Sequence, residues 1–289
     1  MRYGVIDIGS NTVRAVVYEV SDGDFEVVSN IAVGSKLFAY TKEHKLSDEG
    51  IKWLSSSVSR LIAQAGEDCS FCAFATSAFR DLENRDEVKT FIESICSIKV
   101  YILSGDEEAE CDREALINKG IKNGVAVDLG GGSCQIIAFD EEKVSLSVSL
   151  PLGCVRLKMM LTKKDIPDEE ELCAVYEHTG KAVSQYLKSS DTLIMFGGTA
   201  RTLSRLAVAA GYEKGEAEMS VQTLKNLIGM TNEPDGVELL KDVSGKRYET
   251  VPVGATTLLC IAQGLGASRL LVPEISVRDG FLVKYLLKK

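Results

Sequence analysis

Two glycine-rich turns, one in each half of the chain, carry residues that are suited to binding phosphate. Residues 7–12 read DIGSNT and residues 128–133 read DLGGGS, and each stretch joins two short β-rich runs. Glycine lets the backbone approach a ligand closely, and successive backbone N–H groups in such a turn bind anions. Asp7 and Asp128 end the first strand of each pair, and a carboxylate is a hard oxygen ligand that suits Mg²⁺. The sequence therefore predicts two phosphate-binding turns, each beside a metal-binding carboxylate.

Because the turn occurs twice, phosphate binding is favoured over the simpler interpretation of an ordinary hairpin. A single tight hairpin of this kind is common and needs no ligand. Two copies at corresponding places indicate a duplicated domain, and we expect a cleft between the copies. The candidate phosphate-binding residues of the two turns are Gly9, Ser10, Asn11, Thr12, Gly130, Gly131, Gly132 and Ser133.

Arg80 lies where a predicted strand passes into a helix, which is where open α/β sheets place ligands. Its guanidinium matches the geometry of a phosphate group. The alternative is a structural arginine that pairs with Asp81 or Asp86 at the start of the next helix. We expect Arg80 to contact phosphate.

Two other strand-to-helix junctions are less specific. Residues 104–108 (SGDEE) place acidic residues at a helix start, where the helix dipole alone favours them, so their spacing leaves a catalytic role open. Gly198 and Thr199 belong to a third glycine turn, residues 197–200 (GGTA). Such a turn suits an anion or a base and sugar, or simple packing of strand on helix.

Composition indicates a two-domain protein. A chain of 289 residues is long for one core, and a hydrophobic content of 45% is enough for two. No run approaches the roughly 20 apolar residues of a membrane span. The first strand begins by Tyr3, too early for a signal peptide, so we expect a cytoplasmic location without a membrane partner. The formal net charge of −9 argues against a general nucleic-acid binder.

The cysteines are expected to be reduced and mostly buried. Cys69 and Cys72 form a C-x-x-C pair, which in other settings is a redox or zinc motif. Either role needs a partner pair or a histidine, and the chain has only His44 and His178. Reduced thiols in a packed interior therefore remain the favoured interpretation.

Two α/β domains must position these residues. Three strands followed by alternating helices and strands occur twice, which is the pattern of a duplicated ββαβα-type domain. The pattern breaks near residues 118–123, so the predicted domains are residues 1–120 and 121–289, with a closing helix at 277–289 that packs back on the first. Residues 34–46 predict a polar loop, and residues 201–209 predict a helix after the third glycine turn.

These motifs together resemble the exopolyphosphatase/guanosine pentaphosphate phosphatase (Ppx/GppA) family. The matching stretches are 7–20 (DIGSNTVRAVVYEV), 75–88 (ATSAFRDLENRDEV), 102–110 (ILSGDEEAE), 126–140 (AVDLGGGSCQIIAFD), 150–158 (LPLGCVRLK), 196–206 (FGGTARTLSRL), 247–258 (RYETVPVGATTL) and 277–282 (VRDGFL). They run from end to end in the order of the short, two-domain members. The resemblance implies the actin–hexokinase–Hsp70 superfamily: an α/β protein of two duplicated ribonuclease H-like (actin-like ATPase) domains with an interdomain cleft.

The resemblance also implies an activity. It identifies Glu108 as the general base that activates water for attack on a terminal phosphoryl group, assisted by Arg80 and by Mg²⁺ (or Mn²⁺) near Asp7 and Asp128. The implied substrates are inorganic polyphosphate and guanosine pentaphosphate, and a homodimer follows by analogy. A kinase of the same superfamily is the enzyme alternative, disfavoured because residues 76–80 and 104–108 match the phosphatase family.

Gln135 departs from the family pattern, in which the glycine-rich motif ends in Glu. Glutamine keeps the size and the hydrogen bonding but loses the charge, so it is a poorer Mg²⁺ ligand and cannot act as a base. Three interpretations stay open. Gln135 orients water, as a glutamine does in some GTPases; activity is weak; or the protein is a sensor that binds its polyanion without hydrolysing it.

Overall fold

The computed structural model describes residues 1–9, 12–21, 24–35, 37–66, 68–140 and 143–288. The chain forms two compact units, one made of Met1–Ala115 with Val277–Lys289 and the other of Leu116–Ser276. Within the described ranges, no helix is long and apolar enough to cross a membrane.

Up to Asn118, the described residues form seven strands and five helices, and the last helix continues three residues into the second unit. The elements are β1 (Arg2–Ile8), β2 (Thr12–Ser21), β3 (Asp24–Gly34), α1 (Leu37–Tyr40), β4 (Thr41–Lys42), β5 (Lys45–Leu46), α2 (Asp48–Ala65), β6 (Ser70–Ala75), α3 (Ser77–Arg80), α4 (Arg85–Cys96), β7 (Lys99–Ile102) and α5 (Gly105–Asn118). The predicted polar loop at 34–46 was wrong in part, because α1 and the short β4–β5 ribbon occupy it. Such short elements carry too few residues to show a period.

The first sheet has the strand order β3-β2-β1-β6-β7. Strands β1 to β3 are antiparallel neighbours, whereas β6 and β7 run parallel to β1. In the parallel register, Ile8 lies beside Ala75 and Ala75 beside Ile102. The carboxyl ends of these three strands therefore meet at one edge, which collects the segments that follow them.

The second unit repeats this plan. Its elements are β8 (Gly124–Leu129), β9 (Cys134–Asp140), β10 (Lys143–Leu150), α6 (Cys154–Leu161), α7 (Glu169–Val183), β11 (Thr192–Phe196), α8 (Gly197–Ala209), β12 (Glu218–Ser220), α9 (Val221–Met230), α10 (Pro234–Ser244), a 3₁₀ turn (Gly245–Arg247), α11 (Val251–Leu265) and β13 (Arg269–Leu271). The sheet order is β10-β9-β8-β11-β13-β12. Apart from the added edge strand β12, this is the order of the first sheet, which confirms the predicted duplication.

Helix starts follow from local chemistry. Ser47 caps α2 by accepting a hydrogen bond from the Gly50 N–H, as predicted. Asp168 and Glu171 form a reciprocal capping box at α7. The predicted start at residue 201 was wrong, because α8 begins at Gly197 and the third glycine turn is its first turn.

The chain ends with a segment that returns to the first unit. It consists of α12 (Val277–Phe281) and a wider π-helical stretch (Leu282–Leu287). Alternate residues of β1 face opposite sides of the first sheet: Ile6 packs into the core formed with α2 and α4, while Val5 packs into the core that contains Cys111 and Phe281. One face of the first sheet is therefore completed by the last residues of the chain.

Candidate functional site

The two glycine-rich turns close with the same backbone hydrogen bond. The Gly9 N–H donates to the Thr12 carbonyl at 3.0 Å, and the Gly130 N–H donates to the Ser133 carbonyl at 3.0 Å. Both turns join antiparallel strands, as the sequence predicted. Ser10 and Asn11 lie outside the described residues.

Helix α6 fixes the orientation of the second turn. The Gly130 carbonyl accepts from the Cys154 N–H, and the Gly131 carbonyl accepts from the next two N–H groups of the helix. The Gly132 carbonyl accepts from Arg156 Nε at 2.9 Å. Because an N–H points away from the carbonyl of its own trans peptide, the N–H groups of residues 131, 132 and 133 point away from α6. Three consecutive donors on one side of a turn form an anion-binding concavity.

None of these three N–H groups donates to a backbone carbonyl in the part of the chain that the structure describes. Gly153 is the residue that permits this arrangement, because a Cβ there would overlap the backbone of Gly131 and Gly132. The LPLGCVRLK stretch carried this signal in the sequence, although no role could be assigned to Gly153 without knowing what α6 packs against.

Asp128 lies at the carboxyl end of β8, where β11 ends beside it and α8 begins. Phe196 is its partner across the parallel pair, and Gly197 follows at φ +87°. A Cβ at Gly197 would overlap the Asp128 carboxylate, so only glycine lets α8 start against this side chain. Gly198 and Thr199 therefore lie in the first turn of a helix that begins at a buried carboxylate.

Arg247 is a cationic residue of this region that the sequence analysis did not select. Its guanidinium lies against Gly198, where a Cβ would overlap it, and its Nη1 lies 3.4 Å from the Thr202 hydroxyl. Arg247 could have been noticed from its position at the start of the RYETVPVG stretch. A sequence does not show, however, that residues 198 and 247 are adjacent in the fold.

Gln135 is buried, with only 1% of its surface exposed. It pairs with Asp128 across the β8–β9 hairpin, so the departure from the family pattern lies directly beside the predicted metal ligand. Its side-chain Nε2 donates to the hydroxyls of Ser133 at 2.9 Å and Ser149 at 3.2 Å. The two serines hold the amide in one position.

Arg80 and Glu108, both predicted as catalytic, form an ion pair in the first unit. Arg80 Nη1 lies 2.8 Å from Glu108 Oε2, and the two side chains are 20% and 7% exposed. The same Nη1 donates to the Leu103 carbonyl at 2.8 Å. Arg80 is therefore held between the end of β7 and the first turn of α5.

The helix that carries Glu108 begins with a capping box. The Glu107 N–H donates to the Ser104 hydroxyl at 3.1 Å, and the Ser104 N–H donates to Glu107 Oε2 at 2.8 Å. These hydrogen bonds hold the pKa of the Glu107 carboxyl below its ordinary value. The two adjacent acids thus have separate roles, since Glu107 secures the helix start and Glu108 engages Arg80.

Asp7, predicted as a metal ligand, is engaged by a cation in this structure. Arg278 Nη1 donates to Asp7 Oδ2 at 2.6 Å, and the side chains of Arg278 and Asp7 are 12% and 16% exposed. Burial raises the pKa of the Asp7 carboxyl, and the Arg278 guanidinium opposes this effect. No local pattern pointed to the pair, because 271 positions separate the two residues.

In the described ranges, protein side chains alone do not form a complete metal site. No cluster of three or more His, Cys, Asp or Glu side chains there is arranged to hold a metal ion. All eight cysteines are free thiols; Cys72 is buried and Cys69 is half-buried. The assignment of the C-x-x-C pair as reduced thiols stays a prediction.

Comparisons with known proteins place the chain among phosphatases. The model of the Ppx/GppA phosphatase family matches residues 16–289. Exopolyphosphatase 1 of Mycobacterium tuberculosis is 25% identical over 304 aligned positions, covering 99% of this chain and 88% of that protein. The crystal structure of the Aquifex aeolicus member of the Ppx/GppA family superposes with a TM-score of 0.82 at 25% identity, covering 100% of this chain and 98% of that one.

A more distant structure supports the fold. An exopolyphosphatase from Cytophaga hutchinsonii superposes with a TM-score of 0.83 at 18% identity, covering 100% of this chain and 98% of that chain. Together with the repeated sheet order, these similarities confirm two ribonuclease H-like domains of the actin-like type.

Proposed function

Because this chain belongs to the Ppx/GppA phosphatase family, we propose that it is a phosphohydrolase that removes the terminal phosphate of inorganic polyphosphate. Relatives that span nearly the whole chain are named exopolyphosphatases, which supports this substrate. The proposed reaction is attack of water on a terminal phosphorus, with the shortened chain as the leaving group.

The observation that carries the proposal is the set of three N–H donors at residues 131–133. Phosphate oxygens are strong acceptors, and a turn with aligned donors binds them without a positive side chain. Helix α6 fixes the three carbonyls, so the donors are already oriented before a ligand arrives. Donors that need no rearrangement are the kind that stabilise developing charge in a transition state.

Glu108 is the proposed general base. Its carboxylate would accept the proton of the attacking water, a step typically worth about 10²–10⁴ in rate. Arg80 holds one oxygen of this carboxylate in place and brings a positive guanidinium to the same position. The capping box at Ser104 and Glu107 fixes the first turn of α5, and so fixes the backbone of the base.

A divalent cation, Mg²⁺ or Mn²⁺, fits the residues around Asp128. Mg²⁺ binds proteins through one or two carboxylates, with water and substrate phosphates as the other ligands. Asp128 with the neighbouring amide of Gln135 offers hard oxygen donors of this type and no soft ones. When bound, the ion would neutralise charge on the phosphoryl oxygens. Asp128 would hold it, and Gln135 would be held beside it by Ser133 and Ser149.

Guanosine pentaphosphate is the second candidate substrate. Gly198 and Thr199 lie in the first turn of α8, and Arg247 lies against Gly198. A helix start beside an arginine suits a phosphorylated nucleoside as well as a bare phosphate chain. We expect the enzyme to act in the cytoplasm. By analogy with the family, we also expect it to form a homodimer.

A sensor that binds polyphosphate or guanosine pentaphosphate without hydrolysis is the third candidate, and Gln135 is the observation that favours it. A neutral amide beside Asp128 leaves one carboxylate fewer for a metal than the family pattern provides. Binding by the 131–133 donors would be unaffected, because it needs no charge at residue 135.

Phosphate release by the purified protein tests the proposal. The protein is given polyphosphate and guanosine pentaphosphate in parallel, with Mg²⁺, with Mn²⁺ and with a chelator. Release from polyphosphate that the chelator abolishes is the expected result. Phosphate release from guanosine pentaphosphate alone would identify that compound as the substrate in place of polyphosphate. Binding of either compound by calorimetry without release would establish the sensor, and formation of a phosphorylated product only with an added acceptor would indicate a kinase.

A further inference from the structure

The Asp7–Arg278 pair joins two ends of the chain inside the first unit. Asp7 ends β1, immediately before the first glycine-rich turn, and Arg278 lies in the first turn of α12. Oδ2 of Asp7 accepts the hydrogen bond from Arg278 Nη1 at 2.6 Å. The ideal Cβ position at Gly9 lies 3.5 Å from Oδ1 of Asp7. One oxygen of this carboxylate therefore faces the arginine, and the other faces the turn.

Several contacts fix the position of Arg278. The neighbouring Asp279 accepts a hydrogen bond from the hydroxyl of the fully buried Tyr18 at 2.7 Å. Gly280 lies so close to the Cys111 carbonyl that a Cβ would overlap it. Phe281 packs on Phe74 with ring centroids 4.9 Å apart. These contacts leave the backbone of residue 278 little freedom, so the guanidinium is presented to Asp7 from a rigid support.

The pair is not explained by stability. Burying two charges costs desolvation free energy that their attraction often fails to offset. Arg278 Nε is also buried and has no hydrogen-bond partner among the described residues, which adds to this cost. A costly buried pair beside a candidate phosphate-binding turn indicates a functional requirement.

We propose that Arg278 is a positioning residue of the first glycine-rich turn. Arg278 holds Asp7 as its counter-ion, so that Asp7 is not a direct metal ligand. The inference rests on the proposed function, but its first test requires no turnover of substrate. Arg278 occupies one carboxylate oxygen, and its positive charge repels a divalent cation from the other. The two strand-end aspartates then have different tasks: Asp128 holds the metal, and Asp7 with Arg278 fixes the first turn.

Metal binding without turnover gives the first test. Mn²⁺ is titrated into the purified protein, and free Mn²⁺ is followed by electron paramagnetic resonance. We expect Asp7→Asn to keep the wild-type Mn²⁺ affinity, and Asp128→Asn to lose about tenfold or more. Arg278→Gln should bind one additional Mn²⁺, because it releases Asp7. The proposal is overturned if Asp7→Asn weakens Mn²⁺ binding as much as Asp128→Asn, or if Arg278→Gln binds no more Mn²⁺ than the wild type.

Kinetics give the second test. Loss of a positioning contact should lower kcat by about 100-fold, since small misplacements at a reacting centre have effects of that size. Arg278→Lys should recover part of this loss, because it restores the positive charge but not the planar fork. The matched control is Arg2→Gln on the same strand as Asp7, where an exposed pair with Glu19 is removed and kcat should not change. Wild-type kcat in Arg278→Gln would contradict the positioning role.

The two tests separate this inference from the proposed function. If the wild-type protein releases no phosphate from any substrate, the proposed function fails while the Mn²⁺ comparison still decides the assignment of Asp7. Circular dichroism of each variant shows whether the fold is retained. If Arg278→Gln does not fold, Arg278→Lys and Asp7→Asn still test whether Asp7 is a counter-ion or a metal ligand. The Arg278→Lys protein keeps a positive charge beside Asp7, so the extra metal site should stay closed, and Asp7→Asn should leave Mn²⁺ binding unchanged.

Discussion

Arg80 Nη1 lies 2.8 Å from Glu108 Oε2, so a candidate phosphate-binding cation and a candidate base share one ion pair. The two residues belong to segments that follow neighbouring parallel strands, β6 and β7. Their meeting is a direct consequence of the sheet order, because parallel neighbours end at the same edge.

Replacing Glu108 by Gln should abolish turnover and leave substrate binding largely intact. The substitution keeps the size of the side chain but removes its ability to accept a proton, so a loss of about 10²–10⁴ in kcat is expected. Steady-state phosphate release and calorimetric binding measure the two effects. Glu110→Gln is the matched control on the same helix, where the carboxylate is exposed and pairs with Lys284. A Glu108→Gln enzyme with wild-type kcat would remove Glu108 as the base.

Arg80→Ala should raise KM for long polyphosphate chains. The guanidinium supplies a charged donor for phosphate, and charge-assisted hydrogen bonds of this type are worth about 1.5–3 kcal/mol each. Initial rates over a range of chain lengths give KM, with Arg60→Ala on the exposed face of α2 as the control. An unaltered KM would return Arg80 to a purely structural role at the β7–α5 junction.

Gln135→Glu should raise Mg²⁺-dependent activity. The carboxylate would add charge beside Asp128, and the hydroxyls of Ser133 and Ser149, which now accept from the amide, could donate to it. The rate as a function of Mg²⁺ concentration checks this, with Gln222→Glu on the exposed side of α9 as the control for an added charge. Unchanged or lower activity would show that Gln135 is adapted to this enzyme.

The capping box of α5 should make a pH-dependent contribution to stability. The folded pKa of Glu107 lies below its ordinary value of 4.5, so its stabilisation is present above that pH and is lost as the pH falls through the folded pKa. Urea unfolding of wild type and Glu107→Gln at about pH 7 and about pH 3 should show a stability difference only at the higher pH. Ser104→Ala should cost about 1 kcal/mol at neutral pH. A difference that grows on acidification would contradict the assignment.

Gly280→Ala should destabilise the first unit. The added Cβ would overlap the Cys111 carbonyl, which is backbone and cannot rotate away, so a loss of at least about 1–3 kcal/mol is expected. Gly229→Ala is the opposite control: nothing lies near its Cβ position in α9, and alanine favours a helix by about 1 kcal/mol. Thermal unfolding separates the two, and a Tm for Gly280→Ala at or above wild type would contradict the packing described for α12.

Features formed by residues that lie close together along the chain could be predicted from the sequence. Residues 7–12 and 128–133 could be recognised as turns because glycine and strand-end aspartate lie close together along the chain. The start of α2 at Ser47 could be predicted for the same reason. The start of α8 could not, because Gly197 and Gly198 look like a loop until Asp128 and Arg247 are seen to pack against them.

Contacts between distant parts of the chain were beyond local reasoning. Arg278 could be assigned to a motif, yet its pairing with Asp7 depends on where the last helix packs. The orientation of the N–H groups at residues 131–133 likewise depends on α6, a helix that the sequence analysis did not identify. In both cases the deciding information is tertiary packing, which neither spacing nor residue type reveals.

The discontinuous first unit has a consequence for biosynthesis. When a ribosome has made residues 1–115, one face of the first sheet still lacks Phe281 and Leu282, which emerge only after the whole second unit. The second unit can therefore complete its core first. Until α12 is made, the strands of the first sheet keep apolar surface exposed on that face. A chain cut short after residue 276 would lose both that cover and the arginine beside Asp7. Chaperone dependence should accordingly be greatest for nascent chains that stop before α12.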